Sequence, residues 1–305
     1  MTTPSLWPEF YLLGAPKCGT TALYQTLAGH PAIHDAAIKE PAFFALDWPG
    51  ARSVSEGAAY HANYARAAGV RAIDASTTYF YSAAAVPAIL HERPDARFVI
   101  VLRNHADMVL SLHNQERMSL HEPEADFGTA WAQSDQRWQG GWKALHAFPH
   151  PVCYKEAGRL GHYTAQLKAQ IPPGQLHIVL LDDLKADFRT SWLALLAFLG
   201  LDDDGQQAME VANPAQERRW RTLYWLLLAS HGPMGPVKRW IKRVAGINQT
   251  RLMKSVGTAS LRPVSVKPTM PAELRAEIDA HFASDRALLE QVLQRDLSHW
   301  GRSAP

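Results

Sequence analysis

Between Gly14 and Thr21 the chain reads Gly-Ala-Pro-Lys-Cys-Gly-Thr-Thr. An apolar run, Phe10 to Leu13, precedes it, and apolar positions at helical spacing follow from Thr20 to Ala28. A strand that enters a glycine-containing loop and leaves as a helix turns several backbone N–H groups toward one point, at the positive end of a helix dipole. An anion fits there, phosphate above all. The spacing Gly14-x4-Gly19-Thr20-Thr21 is close to a P-loop, but a P-loop carries its lysine directly after the second glycine. Here Thr20 holds that slot and Lys17 lies inside the loop. From there a lysine sits beside the first phosphate of a nucleotide and the bond leaving it. Thr20 and Thr21, at the helix start, offer N–H and hydroxyl donors, and Thr also serves there as a simple helix cap.

Three more groups have the right chemistry for such a site. Lys39-Glu40-Pro41 ends a short strand-like run, where open α/β sheets place their ligands. Glu40 there is suited to take a proton from an alcohol. Arg103 follows the strongest strand pattern in the chain, with Ser111 two helical turns further on, and a planar guanidinium suits a phosphate dianion. Asp74 closes another apolar strand ahead of Ala-Ser-Thr-Thr-Tyr79, where an acceptor-side or structural role is preferred over a metal ligand. His34 and His105 are alternative bases, and Cys18 brings a thiol into the loop itself.

Ala15-Pro-Lys-Cys-Gly-Thr-Thr-Ala-Leu23 resembles the 5′-phosphosulfate loop of sulfotransferases that use 3′-phosphoadenosine 5′-phosphosulfate (PAPS). The continuation His30-Pro31 and Lys39-Glu40-Pro41-Ala-Phe43-Phe44 is similar to the bacterial sulfotransferase-domain and heparan-sulfate sulfotransferase branch. The resemblance runs from Phe10 to Trp300, with its motifs clustered in Ala15–Phe44, Asp74–Tyr79 and Arg103–Ser111. It implies PAPS as donor, PAP as product, and no metal. It also implies that Lys17 stabilises the leaving phosphate while Cys18, Gly19, Thr20 and Thr21 complete the phosphate loop. Arg103 and Ser111 would grip the 3′-phosphate, joined by Lys267 from Ser265-Val-Lys267-Pro268. Glu40 would be the general base, Lys39 would steady the sulfuryl oxygens, and Asp74 and Tyr79 would line the acceptor site. Gly158-Arg159-Leu-Gly161-His-Tyr163 resembles the family's Gly-x-Tyr segment. The chain departs from the family pattern at Ala42, where His is common, and at Thr77, where Pro is usual.

The expected reaction is transfer of a sulfuryl group to a hydroxyl or amine of a glycan, lipid or small-molecule acceptor. Two other readings stay open. One is a nucleotide kinase or NTPase with an aberrant P-loop; the other is a non-catalytic module that holds PAP or an anionic glycan.

With 305 residues, 47% hydrophobic and 20% charged, the chain can bury a large α/β core. A net charge of +2 is too mild to indicate nucleic acid. Two cysteines, Cys18 and Cys153, make neither a disulfide framework nor a metal pattern. The first residues lack a basic, apolar signal sequence, and no uncharged run is long enough to span a bilayer, so a cytoplasmic enzyme is expected.

The elements that must position these residues alternate between strand and helix patterns. This predicts a parallel sheet with helices on its faces, and the resemblance implies a P-loop-NTPase-like three-layer α/β/α fold with a mostly parallel central sheet and helical insertions. Strands are expected at Phe10–Leu13, Ile33–Ile38, Val70–Asp74, Arg97–Leu102 and Leu176–Leu181. Helices are expected at Thr20–Ala28, Gly57–Ala68, Ala83–His91, Met108 to about Gln115, Ala157–Ala169, Arg189–Leu199 and Pro271–Arg295. The whole of 1–305 reads as one sulfotransferase domain. A helical, Trp-rich insertion (Trp131, Trp138, Trp142) covers about 117–152, where tryptophan faces suit a sugar or an aromatic alcohol. A helical C-terminal region covers about 215–305. Within it, Trp220–Arg243 reads either as a helical pair with a solvated basic face or as a peripheral membrane contact.

Overall fold

A computed structural model describes residues 7–209, 216–218, 261–263 and 270–301. The chain opens with β1 (Phe10–Gly14) and α1 (Thr20–Ala28), then β2 (Ile33–His34) and α2 (Gly57–Asn63). Next come β3 (Arg71–Asp74), α3 (Ala85–Glu92), β4 (Arg97–Leu102) and α4 (His105–Ser119). The short helices α5 (Phe127–Ala132), α6 (Ser134–Trp138) and α7 (Tyr154–Ala157) lead to α8 (Leu160–Gln170), β5 (Leu176–Leu180), α9 (Leu181–Ala186) and α10 (Phe188–Leu199). Gln216–Arg218 (β6) and Leu261–Pro263 (β7) pair antiparallel, and α11 (Ala272–His281) and α12 (Ala283–Leu293) close the described chain.

The first five strands form one parallel sheet in the order β2-β3-β1-β4-β5. All of β1 is buried, as is all of β4 beyond Arg97, which requires cover on both faces of the sheet. That is the expected three-layer α/β/α arrangement. The order also fixes the site. From β1 the chain turns one way to β2 and β3 and the other way to β4 and β5, so the switch point lies beside β1. The segments following β2, β3, β1 and β4 therefore emerge side by side at one sheet edge.

Several expected elements are shorter or divided. The second strand stops at His34, because the Nδ2 and Oδ1 atoms of Asn63 bind the backbone of Ile38 instead of a neighbouring strand. The predicted helix over 157–169 starts as α7 and restarts as α8, with Gly158 and Arg159 between them. A Cβ on Gly158 would come within 2.2 Å of the Phe282 ring, and one on Gly161 within 2.2 Å of the Asp285 carbonyl. These glycines let α12 lie against α8; their role is close packing. The single helix expected at Pro271–Arg295 is two, divided at Phe282, whose ring is buried and stacks on His105 at 5.1 Å. The β6–β7 ribbon lies inside a C-terminal region in which no strand was expected. Lys267 and Trp220–Arg243 fall outside the described residues.

The insertion is helical in short pieces: α5, α6 and the 3₁₀ turns 141–144 and 150–152. Arg137 and the fully buried Glu122 hold it together as a two-pronged ion pair, with Tyr154 donating to Glu122 at 2.6 Å. Trp131 is also buried and donates to Glu277 on α11, so it belongs to the core and offers no face to a ligand. Trp138 is exposed and Trp142 half-buried. Beneath them His150 stacks flat on Tyr81 at 4.1 Å, and burial drives its pKa down to about 3.

Candidate active site

The loop after β1 is shaped by two glycines. Gly14 has φ +143° and a Cβ there would meet Phe80 at 2.8 Å; Gly19 has φ +96° and a Cβ there would meet Leu181 at 2.8 Å. Neither position accepts a side chain without strain. Lys17 is also left-handed, at φ +62°, an unfavourable conformation for a lysine. Two contacts fix it there. Arg103 donates from a guanidinium nitrogen to the Lys17 carbonyl at 3.1 Å, and the Lys17 ammonium donates to Gln115 Oε1 at 2.8 Å.

The loop amides are poised for a guest. Cys18 N donates to the Ala15 carbonyl and Leu23 N to the Gly19 carbonyl. Among the described residues, the amides of Lys17, Gly19, Thr20 and Thr21 have no protein acceptor, and no side chain caps α1. Unpaired N–H groups at a helix start are the ordinary receptacle for a phosphate oxygen. The residues present thus fit a nucleotide phosphate.

Arg103 leaves the end of β4, beside β1; the Ala15 amide bonds the Val101 carbonyl at 2.8 Å and locks the two strand ends together. Sheet order thus brings Arg103 to Lys17 across 86 residues. Arg103 also pairs with Asp107 at 3.6 Å, and Asp107 binds Arg275 of α11. Asp107, Ser111 and Gln115 follow one another at intervals of four along α4 and so share a face. Gln115 marks that face as the one toward the loop. Ser111, half-buried, lies on it between the two residues that reach Arg103 and Lys17.

On the other side of β1, Lys39 and Glu40 follow β2. Their side chains form an ion pair, and Thr77 donates to the second Glu40 oxygen at 2.9 Å. The Glu40 side chain remains 42% exposed, open to an incoming hydroxyl. Lys17 feels these groups. Burial lowers its pKa; the Glu116 carboxylate opposes the shift, Arg103 reinforces it, Glu40 opposes it and Lys39 reinforces it. Lys17, Arg103, Lys39 and Glu40 are therefore one electrostatic group.

Other expected residues stand apart from this surface. Asp74 and Tyr79 are fully buried, which corrects their acceptor-side reading. Tyr60 and Tyr79 donate to Asp74 Oδ2 at 2.7 and 2.9 Å, while the Ser76 amide and hydroxyl donate to Oδ1. With every oxygen engaged, Asp74 has nothing left for a substrate or a metal. It works one step back: Ser76 accepts from the Ala42 amide and Tyr79 from the Phe44 amide, which fixes the chain just after Glu40. His34 Nε2 contacts the Asn63 carbonyl, and His105 is buried against Asp285. Cys18 is buried and its thiol is pushed up to about 12, chiefly by burial, so it contributes backbone and no nucleophile.

Gln115 and Glu116 are the residues that sequence reasoning missed. Both look like ordinary polar positions on an amphipathic helix. The one available signal was periodicity, since Gln115 lies one turn beyond Ser111.

Comparisons with known proteins bear on the family and the fold. A family model described as a sulfotransferase domain matches residues 8–216. The crystal structure of a sulfotransferase from Alicyclobacillus acidocaldarius is similar over 97% of this chain and 99% of its own, with a TM-score of 0.70 and 22% identity. At that identity the likeness speaks for the fold. Human carbohydrate sulfotransferase 15 is 59% identical over 34 residues, which are 11% of this chain and 6% of that protein; the rat and mouse proteins match to the same extent.

Proposed function

The chain belongs to the sulfotransferase-domain family, and on that premise we propose that it transfers a sulfuryl group from PAPS to a hydroxyl or amine of a glycan, lipid or small-molecule acceptor, releasing PAP. The observation that carries this reading is Lys17. It is held inside the phosphate loop by Gln115 and Arg103, within electrostatic reach of Glu40 on the next strand end but one.

Sulfuryl transfer, like phosphoryl transfer, asks the protein mainly for positioning and charge stabilisation. The loop amides of Lys17, Gly19, Thr20 and Thr21 bind the 5′-phosphate. Lys17 meets the negative charge that grows on the bridging oxygen, and so favours the transition state over the ground state. Glu40 takes the proton of the acceptor hydroxyl, while Lys39 steadies the sulfuryl oxygens and partners Glu40. Arg103 and Ser111 hold the 3′-phosphate, which ATP lacks, and Lys267 joins them. Exposed Trp138 and half-buried Trp142 offer flat faces to the acceptor. No metal takes part in the transfer itself. Both cysteines are unpaired, in keeping with a cytoplasmic setting. No helix among the described residues is long and apolar enough to cross a membrane.

Calorimetric titration with PAP, with ATP plus Mg²⁺, and again with PAP on Arg103→Ala tests this reading. Tight PAP binding that Arg103→Ala weakens at least tenfold, with little ATP binding, supports it. ATP binding of equal strength that ignores the missing 3′-phosphate would overturn it and favour a kinase.

A further inference from the structure

We propose that Glu116, His121 and His146 form a binding site for a divalent transition-metal ion of the zinc class, where the end of α4 meets the insertion. His121 Nδ1 lies 2.9 Å from Glu116 Oε2, and His146 Nε2 lies 3.8 Å from the same oxygen. The three donor atoms fall within 4.8 Å of one another. Zinc held tetrahedrally at about 2.0–2.1 Å keeps its ligand atoms roughly 3.3 Å apart. The two contacts to Glu116 bracket that separation and the two imidazole nitrogens lie within 4.8 Å of each other, so side-chain rotations that draw the rings together complete the geometry. Two imidazoles and one carboxylate are a donor set that zinc accepts, with a fourth position left open. Here the opening lies toward solvent, because the His121 side chain is 46% exposed while Glu116 and His146 are 4% and 15% exposed.

Charge balance favours a cation at this point. A buried carboxylate needs a positive partner. Lys17 acts on the Glu116 carboxylate at longer range, and among the described residues the only direct ion-pair partners of Glu116 are these two imidazoles. The site is also braced. The His121 and Glu122 amides both bond the Glu116 carbonyl, at 3.0 and 3.1 Å, around a left-handed Leu120, which fixes the turn joining two of the ligands. Gln115 Nε2 approaches the other Glu116 oxygen at 3.4 Å, in the place of an outer-shell partner, and its own oxygen receives the Lys17 ammonium. A metal here would pin the insertion to α4 and set the charge one residue away from the lysine tether. Two contacts must yield: the His121 Nδ1–Glu116 Oε2 hydrogen bond at 2.9 Å, whose proton the metal displaces, and one at His146. His146 Nδ1 accepts from the Phe148 amide at 3.3 Å, and a metal on Nε2 puts the ring proton on Nδ1. That bond is long and is exchanged for a metal–nitrogen bond.

The sequence gives no warning of the site, because His146 lies in the insertion, far along the chain from the Glu116-x4-His121 pair. The proposal does not depend on the identity of the sulfuryl donor. The 305-residue protein, stripped with EDTA and dialysed, is titrated with zinc chloride by calorimetry, and thermal unfolding is followed in parallel. One ion per chain and a rise in melting temperature are expected. His121→Ala, at the exposed ring, and His146→Ala should each weaken binding at least about tenfold and abolish most of the thermal shift. Cobalt(II) should give the visible absorption of a tetrahedral site in the wild type and lose it in His146→Ala. Absence of one-to-one binding at micromolar zinc, or undiminished binding in both variants, would overturn the proposal.

Discussion

The Lys17 ammonium reaches Gln115 Oε1 at 2.8 Å and so joins the β1–α1 loop to α4 across 98 residues of chain. The same lysine has its carbonyl held by Arg103 and its backbone in the left-handed region. A flexible side chain is thus fixed at both ends before any ligand arrives. Orienting a charge in advance removes a cost that would otherwise fall on the reaction step.

Gln115→Ala should therefore lower kcat for PAPS-dependent transfer about tenfold while KM for PAPS changes little, since the lysine stays but loses its aim. Lys17→Ala should lower kcat by about 10²–10³, the scale of losing one preorganised charge-stabilising donor. Steady-state kinetics on the two variants separate the effects. An unchanged kcat in Gln115→Ala would show that the tether has no catalytic consequence.

Glu40 divides its oxygens between Lys39 and Thr77 and keeps a face toward solvent. Glu40→Gln preserves the shape but removes the proton acceptor. PAP affinity should stay within about twofold, while turnover falls by about 10²–10⁴, the range of general-base catalysis. Thr77→Val should reduce turnover far less. A Glu40→Gln enzyme with near-normal turnover would move the base elsewhere.

The loop and its flanks were legible because local rules decide them. Phe10–Leu13 and Arg97–Leu102 are too apolar to be anything but central strands, and Thr20–Ala28 keeps helical spacing to its last residue. The parallel character of the sheet followed less directly, from alternation of strands and helices, and the strand order did not follow at all. Asp74 shows where local reading stops. A carboxylate at a strand end looks like a ligand, and only the positions of Tyr60 and Tyr79 reveal that it is sealed. The division at Phe282 is similar: helical periodicity continues through it, and tertiary packing beneath Gly158 overrides it. Periodicity puts Gln115 on the face of Ser111, but its contact with Lys17 shows only once α4 is placed against the loop.

Native protein should resist thiol alkylation. Burial raises the pKa of Cys18 to about 12, and that of Cys153 to about 12 as well. The thiolate is the reactive form, and neither sulfur is accessible. Iodoacetamide at pH 8, followed by mass spectrometry, should label neither residue in native buffer and both in denaturant. Rapid labelling of Cys18 in the folded state would show that the loop opens.

The Glu122–Arg137 pair should be worth more intact than its separate halves suggest. Burial raises the Glu122 pKa, but hydrogen bonds from Arg137 and Tyr154 outweigh it and hold the carboxyl below its ordinary range. Arg137→Met strands a buried carboxylate, so destabilisation of about 3–5 kcal/mol is expected, read by urea unfolding. The double variant Arg137→Met/Glu122→Leu should recover part of the loss, because no charge is then left unpaired. Equal destabilisation in the single and double variants would place the cost in packing alone.

Asp74 gives a pH dependence with a definite sign. Burial raises its pKa to about 6, although hydrogen bonds from Ser76, Tyr60 and Tyr79 work the other way. In the unfolded chain an aspartate titrates near about 3.9. The folded state holds this proton more tightly, so from about pH 4 to 6 it carries more protons than the unfolded state, and stability falls as pH rises. The contribution of protonated Asp74 is complete below about pH 4 and is lost as pH climbs through about 6. Its size is on the order of 2–3 kcal/mol. Asp74→Asn cannot titrate. It is destabilised by a fixed amount, since an amide keeps one acceptor oxygen where the carboxylate serves Ser76 with one and two tyrosines with the other. Urea unfolding of both proteins at pH 4.5 and pH 7 isolates the term. The wild-type advantage over Asp74→Asn should be larger at the lower pH. A difference that stays flat would mean that the buried carboxyl ionises as freely in the fold as outside it, and one that grows toward neutral pH would mean that its four donors outweigh burial.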